Sequence, residues 1–487
     1  MIEKKLAKIV GAGNVSRDRA TLAEYSRDMS FVNTVRPACV VKPKNAADIQ
    51  KIVKLANDTQ TPLVPVSSGG PHFRGDTVPG TGGAVIVDLS RMKKVIRVDR
   101  FHRVTMVEPG VTFGELIAAV EKEGLRLNMP LMPRKSKTVV GSMLEREPVV
   151  MPKYQWDISD PLACVEVVFG NGKMFRTGQA AGPGTIEEQW AAGGAQKTPY
   201  GPGPAAWYRL IQGAQGTMGI VTWASLRCEI LPKLEEPFLV GSSELDRLFE
   251  LVHWLIRLRL VNECLVLNNT NLAAIMAEKW PQDYPDIKES LPPWVLFFNL
   301  AGYDYFPQDR VNSQLKGISA LTRRIGLEAV RAEGRVSAAE MLKMVQHPSD
   351  EPYWKLRYKG ACHDIFFITT YGKLEGQIKV MHELVNEFGF PASDLGIYLQ
   401  PIVQGANCHC EFNLFFDHKN QSELRRVEEL ATKATSSLMA TGAFFSRPYD
   451  RIARRIVNRD AAYVEALTRV KAILDPNRVM NPGKLCF

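Results

Sequence analysis

The sequence predicts an α+β fold in more than one domain, on three observations. Its 487 residues exceed what a single hydrophobic core holds. The first half alternates short β-branched runs with amphipathic helical stretches. Beyond Leu231-Pro232 the pattern changes to strands separated by longer helices, which suits an antiparallel sheet covered by helices on one face.

Ala38-Cys39-Val40-Val41 reads as a strand ended by Pro43. Asn45 then caps a helix that buries Ile49, Ile52, Val53 and Ala56 on one face. Val64-Pro65-Val66, Val85-Ile86-Val87 and Val104-Thr105-Met106-Val107 are further strands. Thr112 and Glu115 have capping-box spacing ahead of Phe113, Leu116, Ile117 and Val120, and Gly124 stops that helix. Asn171-Gly172 is a hairpin signal joining Val165–Phe169 to Met174–Arg176. In the second half, strands are expected at 295–300, 365–369, 397–403 and 409–416, with helices at 311–325, 378–388 and 424–438.

Hydrophobic residues at 45% and charged residues at 23% are ordinary for a soluble protein. The net charge of +9 is spread along the chain, with only short clusters such as Arg454-Arg455. A nucleic-acid partner would require that excess on one face, so none is expected. A basic surface is the simpler reading, and an anionic substrate or cofactor the second. Eight cysteines are too few for a disulfide scaffold, and Cys408-His409-Cys410 lacks the spacing of zinc or redox pairs, so no metal is expected. His253 and His382 sit on helical patterns, where a packed or surface histidine is the default. Without an apolar export segment or membrane span, a reducing cytoplasm is the expected setting.

The loop Pro65-Val66-Ser67-Ser68-Gly69-Gly70-Pro71-His72 follows a strand and carries two glycines. It lacks the spaced glycines of a dinucleotide fingerprint and the terminal Lys of a phosphate loop. Its residues alone read as a tight turn or as an anion-gripping nest of backbone N–H groups. His409 and Glu411, two apart on a strand, share one side of it and offer either a structural pair or a base for a substrate hydroxyl.

Two further stretches complete a three-part pattern. They are Gln215-Gly216-Thr217-Met218-Gly219-Ile220-Val221-Thr222 and the terminal Asp475-Pro476-Asn477-Arg478 with Asn481-Pro482-Gly483-Lys484. This pattern resembles the vanillyl-alcohol oxidase/p-cresol methylhydroxylase family of FAD enzymes. The resemblance implies FAD as cofactor, its diphosphate on the loop of Pro65, Ser67, Ser68, Gly69, Gly70, Pro71 and His72. Pro109-Gly110, and Gly141-Ser142 with Arg146, resemble the next two signatures. Gly216 and Gly219-Ile220-Val221 match the stretch that runs along the adenine and isoalloxazine side. Lys484 matches a terminal lysine near the flavin, where a cation suits the negative charge of reduction. Some relatives tether FAD through histidine, which makes His72 a candidate attachment point.

Phenol-oxidising relatives bind a phenolate with two tyrosines and an arginine. By alignment Arg74 falls at the first tyrosine, Ser446 at the second and Arg447 at the arginine, while Pro133-Arg134-Lys135 replaces an aspartate's neighbourhood. Loss of the tyrosines and gain of positive charge imply a small carboxylate or other anionic substrate, since arginine clamps a carboxylate through two hydrogen bonds. Arg74 and Arg134 read equally as solvated surface groups, and Tyr449 as a hydroxyl contributor or a packed ring.

The expected organisation is an FAD-binding domain over 1–232, a cap over 233–441, and a return to the first domain over 442–487. The expected reaction is two-electron oxidation of an alcohol or activated C–H carbon, with Arg447 and Arg74 holding the anion and His409 or Glu411 taking the proton. A phenol-oxidising enzyme, a non-redox flavin lyase or transferase, and an inactive flavin-binding subunit stand as alternatives. The electron acceptor is open between oxygen, a cytochrome and another carrier protein, and a homo-oligomer is expected because dimers are common in such enzymes.

Overall fold

Among the described residues three large sheets and one two-stranded hairpin pair the strands, and each large sheet packs on apolar side chains. The computed structural model describes residues 2–153, 160–201, 203 and 205–487. The first sheet has the order β1 (Val15–Ser16), β2 (Cys39–Val41), β4 (Val85–Asp88), β3 (Leu63–Val66). Its β2–β4 and β4–β3 pairs are parallel. The parallel crossover from β2 is the helix Ala46–Thr59, capped by the Asn45 side chain, which accepts from the Asp48 N–H. Ile49, Ile52, Val53 and Ala56 are buried beneath it, as its 3.6-residue spacing dictates.

The second sheet is antiparallel, in the order β5 (Val95–Asp99), β6 (Val104–Val107), β10 (Gly219–Ile230), β8 (Leu162–Phe169), β9 (Met174–Arg176), with β7 (Leu125–Leu127) on the far end of β10. The Thr112–Glu115 capping box starts the helix Phe113–Glu121. The Asn171-Gly172 turn closes β8 on β9, with Gly172 at φ 80°. Val168 and Ile220 from this sheet join a core with Val85, Val87 and the tail residues Val479 and Met480. The first two sheets and the C-terminal segment therefore share one apolar interior.

The third sheet is antiparallel: β11 (Leu234–Ser242), β13 (Trp294–Gly302), β12 (Cys264–Asn268), β17 (Leu395–Ile402), β18 (Asn407–Phe416), β16 (Ala361–Thr369). A small hairpin, β14 (Ala332–Glu333) with β15 (Val336–Ser337), lies beside it. The expectation of helices on one face is corrected here. Val266, Leu296 and Phe298 pack under the helices 245–257, 307–325, 371–387 and 421–440. Leu265, Leu267, Val295 and Phe297 point the other way, into a second core with the shorter helices 269–276 and 338–345. Successive strand residues are apolar on both sides, so both faces need cover. Among the described residues no helix is long and apolar enough to cross a membrane.

The tail is held by a buried ion pair. Lys471 and Asp475 lie one helical turn apart with Nζ 2.5 Å from Oδ2. Lys471 also donates to the carbonyls of Thr217 and Met480, while Asp475 accepts from the N–H groups of Val479 and Met480. Replacing Lys471 by Met strands the Asp475 carboxylate without its counter-ion. The expected cost is about 3–5 kcal/mol, measured as a lower midpoint and free energy in urea unfolding.

Candidate active site

The front, middle and tail motifs meet. Asn481 donates one amide hydrogen bond to the carbonyl of Asp76 (2.9 Å) and another to that of Gln215 (2.7 Å). Lys484 Nζ donates to the carbonyl of Gly75 at 2.6 Å, and Gln215 donates to that of Pro448 at 2.6 Å. Glycine allows the approach: a Cβ on Gly216, whose φ is 69°, would stand 2.5 Å from the Pro65 ring. The tail also runs beside the first sheet, with Met480 bridged to Leu63.

Between these segments lie two connected cavities. One, of about 760 Å³ counted to its mouth, has a wall rich in backbone from Gly141, Gly213, Gly216 and Gly219, completed by Pro109, Ile220 and Val221. The other, of about 1080 Å³, is lined by Ser67, Ser68 and His72 on one side and by residues of the third sheet on the other. Pro65, Ser67, Asp76 and Glu145 line both. Each volume is on the scale of a cofactor or ligand site, about 300–1,000 Å³. A long, partly flat cofactor fits this space, because the glycine wall presents no side chain to obstruct a ring system.

The residues of the front loop divide between the cavity and its support. The Ser67 and Ser68 hydroxyls share hydrogen bonds with Thr138 Oγ1 at 2.9 and 3.1 Å. The Gly69 N–H is committed to the Ser136 carbonyl, and Ser136 Oγ bonds the carbonyls of Gly69 and Gly70. Arg134 is buried and donates to the carbonyls of Gly69 and Pro71, which corrects its reading as a solvated surface group. His72 is buried in the cavity wall; burial, then the charges of Arg134 and Lys137, bring its imidazole down to about 3, so it is neutral. Gly110 is wedged against backbone, its absent Cβ 2.7 Å from the carbonyls of Leu89 and Met92. Ser142 donates to Glu147 at 2.6 Å, and Arg146 donates to the Ser446 carbonyl at 2.5 Å, so these two face supporting structure. Lys484, bonded to Gly75, does not line either cavity.

Charge collects where the loop meets the third sheet. Arg74 is not a free surface group: it faces Glu145 at 3.7 Å and Glu147 at 3.4 Å, and lies over the rings of Phe366 and Tyr449. Lys137 pairs with Glu145 at 2.5 Å. Burial pushes the Glu147 carboxyl up, but Lys137, Arg74 and the Ser142 hydroxyl outweigh it and bring it down to about 2. Burial, then the charge of Glu145, raise Asp76 to about 6. Arg447 is buried over Phe366, 4.3 Å from the ring centroid, and its Nη1 has no hydrogen-bond partner among the described residues. Burial and the nearby Arg74 lower its pKa to about 10, so it remains a cation at neutral pH.

On the sheet side, His409 and Glu411 share one side of β18, with His409 Nε2 3.4 Å from Glu411 Oε2. Glu411 lines the larger cavity and His409 does not; the imidazole sits by the rings of Phe366 and Tyr398. Lys355, absent from the sequence reading, donates to Glu411 at 2.6 Å and to Asp364 at 2.7 Å. Asn413 donates to both carboxylates as well. Burial opposes the charge on Glu411, but Lys355 and His409 hold its carboxyl well below the usual range. Burial also lowers His409, leaving it neutral. Tyr353 and Tyr398 complete this wall. No local motif marks Lys355 or Asp364; a Lys beside Tyr353-Trp354 and an Asp at a strand start look like surface residues until the sheet brings them together.

Comparison with known proteins agrees with this geometry. An FAD binding domain matches residues 37–178, and a C-terminal domain of FAD linked oxidases matches 457–485. The glycolate oxidase subunit GlcD of Bacillus subtilis (strain 168) is 23% identical, covering 99% of this chain and 96% of its own. The 4-cresol dehydrogenase [hydroxylating] flavoprotein subunit of Pseudomonas putida is 22% identical over 99% and 94%. The crystal structure of p-cresol methylhydroxylase with substrate bound shares the fold, with a TM-score of 0.85, 20% identity, and coverage of 100% and 96%. These matches support a place for the chain beside the vanillyl-alcohol oxidase/p-cresol methylhydroxylase flavoproteins, whose fold it shares. With FAD-linked domains matched at both ends and FAD-linked oxidoreductases as relatives, it is an FAD-dependent oxidoreductase.

For this flavoprotein, the Glu147 cluster ties stability to pH. Glu147 titrates lower when folded than its ordinary 4.5, so its contribution is complete above about pH 4.5 and disappears as pH falls toward about 2. Glu147→Gln is expected to cost up to about 3 kcal/mol at pH 7 and little below pH ~2. Urea unfolding of both proteins across that pH range measures the difference.

Proposed function

We propose that this enzyme oxidises a small carboxylate-bearing alcohol, and that the unpaired, buried Arg447 guanidinium is the group that selects it. A buried cation with an enclosed N–H lacking an acceptor calls for an anion, and a carboxylate satisfies it through charge-assisted hydrogen bonds. Glycolate, named for the Bacillus subtilis relative, is a carboxylate of this class. FAD supplies a two-electron acceptor at flavin N5.

The chain's own residues then do the following. Arg447 binds the carboxylate, and Arg74, fixed by Glu145 and Glu147, keeps the wall positive beside it. Glu411, held ionised by Lys355, accepts a hydrogen bond from the substrate hydroxyl. Neutral His409, donating from Nε2 to Glu411 Oε2, orients that carboxylate, which takes the hydroxyl proton as hydride leaves for the flavin. Tyr353, Tyr398 and Tyr449 close the wall and limit water. The glycine wall, with Ser67 and Ser68, holds the flavin dinucleotide. This reading treats 1–232 with 442–487 as the FAD-binding domain and 233–441 as the cap. The Pseudomonas relative is named as a flavoprotein subunit, which supports a separate protein as electron acceptor.

Arg447→Ala holoenzyme is expected to lose about 30-fold or more in kcat/KM on hydroxy acids, with a smaller change on neutral alcohols. Stopped-flow bleaching of the flavin under anaerobic conditions measures both. Unchanged rates on every accepted acid remove the assignment, and turnover without bleaching favours a non-redox flavin reaction.

A further inference from the structure

A second chamber adjoins the first, separated from it by a wall that contains Arg447. It measures about 800 Å³ counted to its mouth, and it shares Phe73, Arg74, Asp364 and Arg447 with the larger cavity. The two are neighbours across one layer of side chains. Most of the second chamber is apolar: Phe31, Phe73, Ile365, Phe366, Phe445 and Ile452 line it. His363 adds little polarity, since it packs on Phe31 with centroids 4.6 Å apart and burial brings its imidazole down to about 4.

The charges facing this chamber are already matched, with one exception. Asp364 accepts from Lys355 and Asn413. Arg74 faces Glu145 and Glu147. Arg451 pairs with Glu428, and Asp450 accepts from the backbone N–H groups of Phe31 and Arg451. Arg74 and Arg447 each have a buried Nη1 without a hydrogen-bond acceptor, but Arg74 is ion-paired, so among the described residues lining this chamber Arg447 is the cation without a paired carboxylate. A chamber with apolar walls and one unmatched cation fits a molecule with an apolar body and one anionic group.

We propose that the second chamber is a subsite for the apolar body of an amphiphilic carboxylate whose carboxylate group seats on Arg447. The inference rests on the reading of Arg447 given above and adds the substrate class: a hydroxy acid with a hydrocarbon or aryl side chain. Residues on the helix 421–440, Ala431 and Thr432, form the outer side of the subsite and set the length it accepts.

Calorimetric titration of the FAD-loaded enzyme with straight-chain alkanoates from acetate to decanoate, and with the alkanamides of matching length, tests both layers. None of these probes is a substrate. Affinity for the acids is expected to rise about fourfold per methylene until the chamber is full. Acids should exceed amides by about 30-fold or more, and Arg447→Ala should abolish that preference. Ala431→Trp, which fills the chamber, should flatten the rise with length while acetate still binds. Thr432→Phe, at an exposed position on the same helix, should do so if the buried variant fails to fold. A flat series in the parent enzyme with the acid preference intact overturns the subsite and leaves the role of Arg447 standing. A length dependence that survives both fillings overturns the subsite as well. Equal affinity for acids and amides, or no binding at all, overturns the carboxylate reading and the subsite together.

Discussion

One asparagine amide organises the meeting of the front, middle and tail segments. Asn481 gives its two N–H bonds to the carbonyls of Asp76 and Gln215, so three strings far apart in the chain share one point. Each carbonyl is a backbone acceptor, so the geometry depends on where the chain runs and not on which side chains decorate it. The nearby glycines have the same logic. Gly216 lets the middle segment touch Pro65, and Gly80 lets the front segment touch Pro482, whose carbonyl would lie 2.2 Å from a Cβ there. What is left between the three segments is a space walled by backbone, which suits a planar ring system and a phosphate linkage better than it suits a side chain.

The opposite wall obeys different physics. β18 presents His409, Glu411 and Asn413 on one side, and Lys355 and Asp364 come to meet them from neighbouring elements. Buried charges of this kind persist when each has an opposite partner and its remaining lone pairs are used. Glu411 and Asp364 meet that condition through Lys355 and Asn413. Arg447 does not, and an unmet condition inside a closed wall is a statement about what the site is built to receive.

Local chemistry made much of the fold legible. The capping box at Thr112–Glu115, the Asn45 cap, the strand Val104–Val107 and the Asn171-Gly172 turn are each decided within a few residues, and the structure has them where the sequence predicts. The stretch from Leu234 to Asn268 went unread although its helix Leu245–Arg257 has a clear one-sided period, with Leu248, Leu251, Val252 and Leu255 buried and Asp246, Arg247 and Glu250 exposed; the strand that follows, Cys264-Leu265-Val266-Leu267, is apolar on both faces and shows no period. For the same reason the second layer of helices on the third sheet was not foreseen. In the site, the three strings were readable through a family likeness, and His409 with Glu411 through strand alternation. Lys355, Asp364 and Glu147 were not, since each gains its meaning from partners that only tertiary folding supplies. Arg134, which the sequence left open between solvated surface and site, is the clasp of the front loop.

The contacts of Asn481 span 405 and 266 residues of chain. Loop closure over such distances is entropically slow to reward, so topology delays these bonds relative to the local hairpins and capped helices. The compartment between these segments is thus among the late events of folding, completed after the sheets that flank it. A ligand that binds only the completed compartment stabilises that last step by mass action, so on the function proposed above maturation of the enzyme is coupled to the supply of flavin dinucleotide.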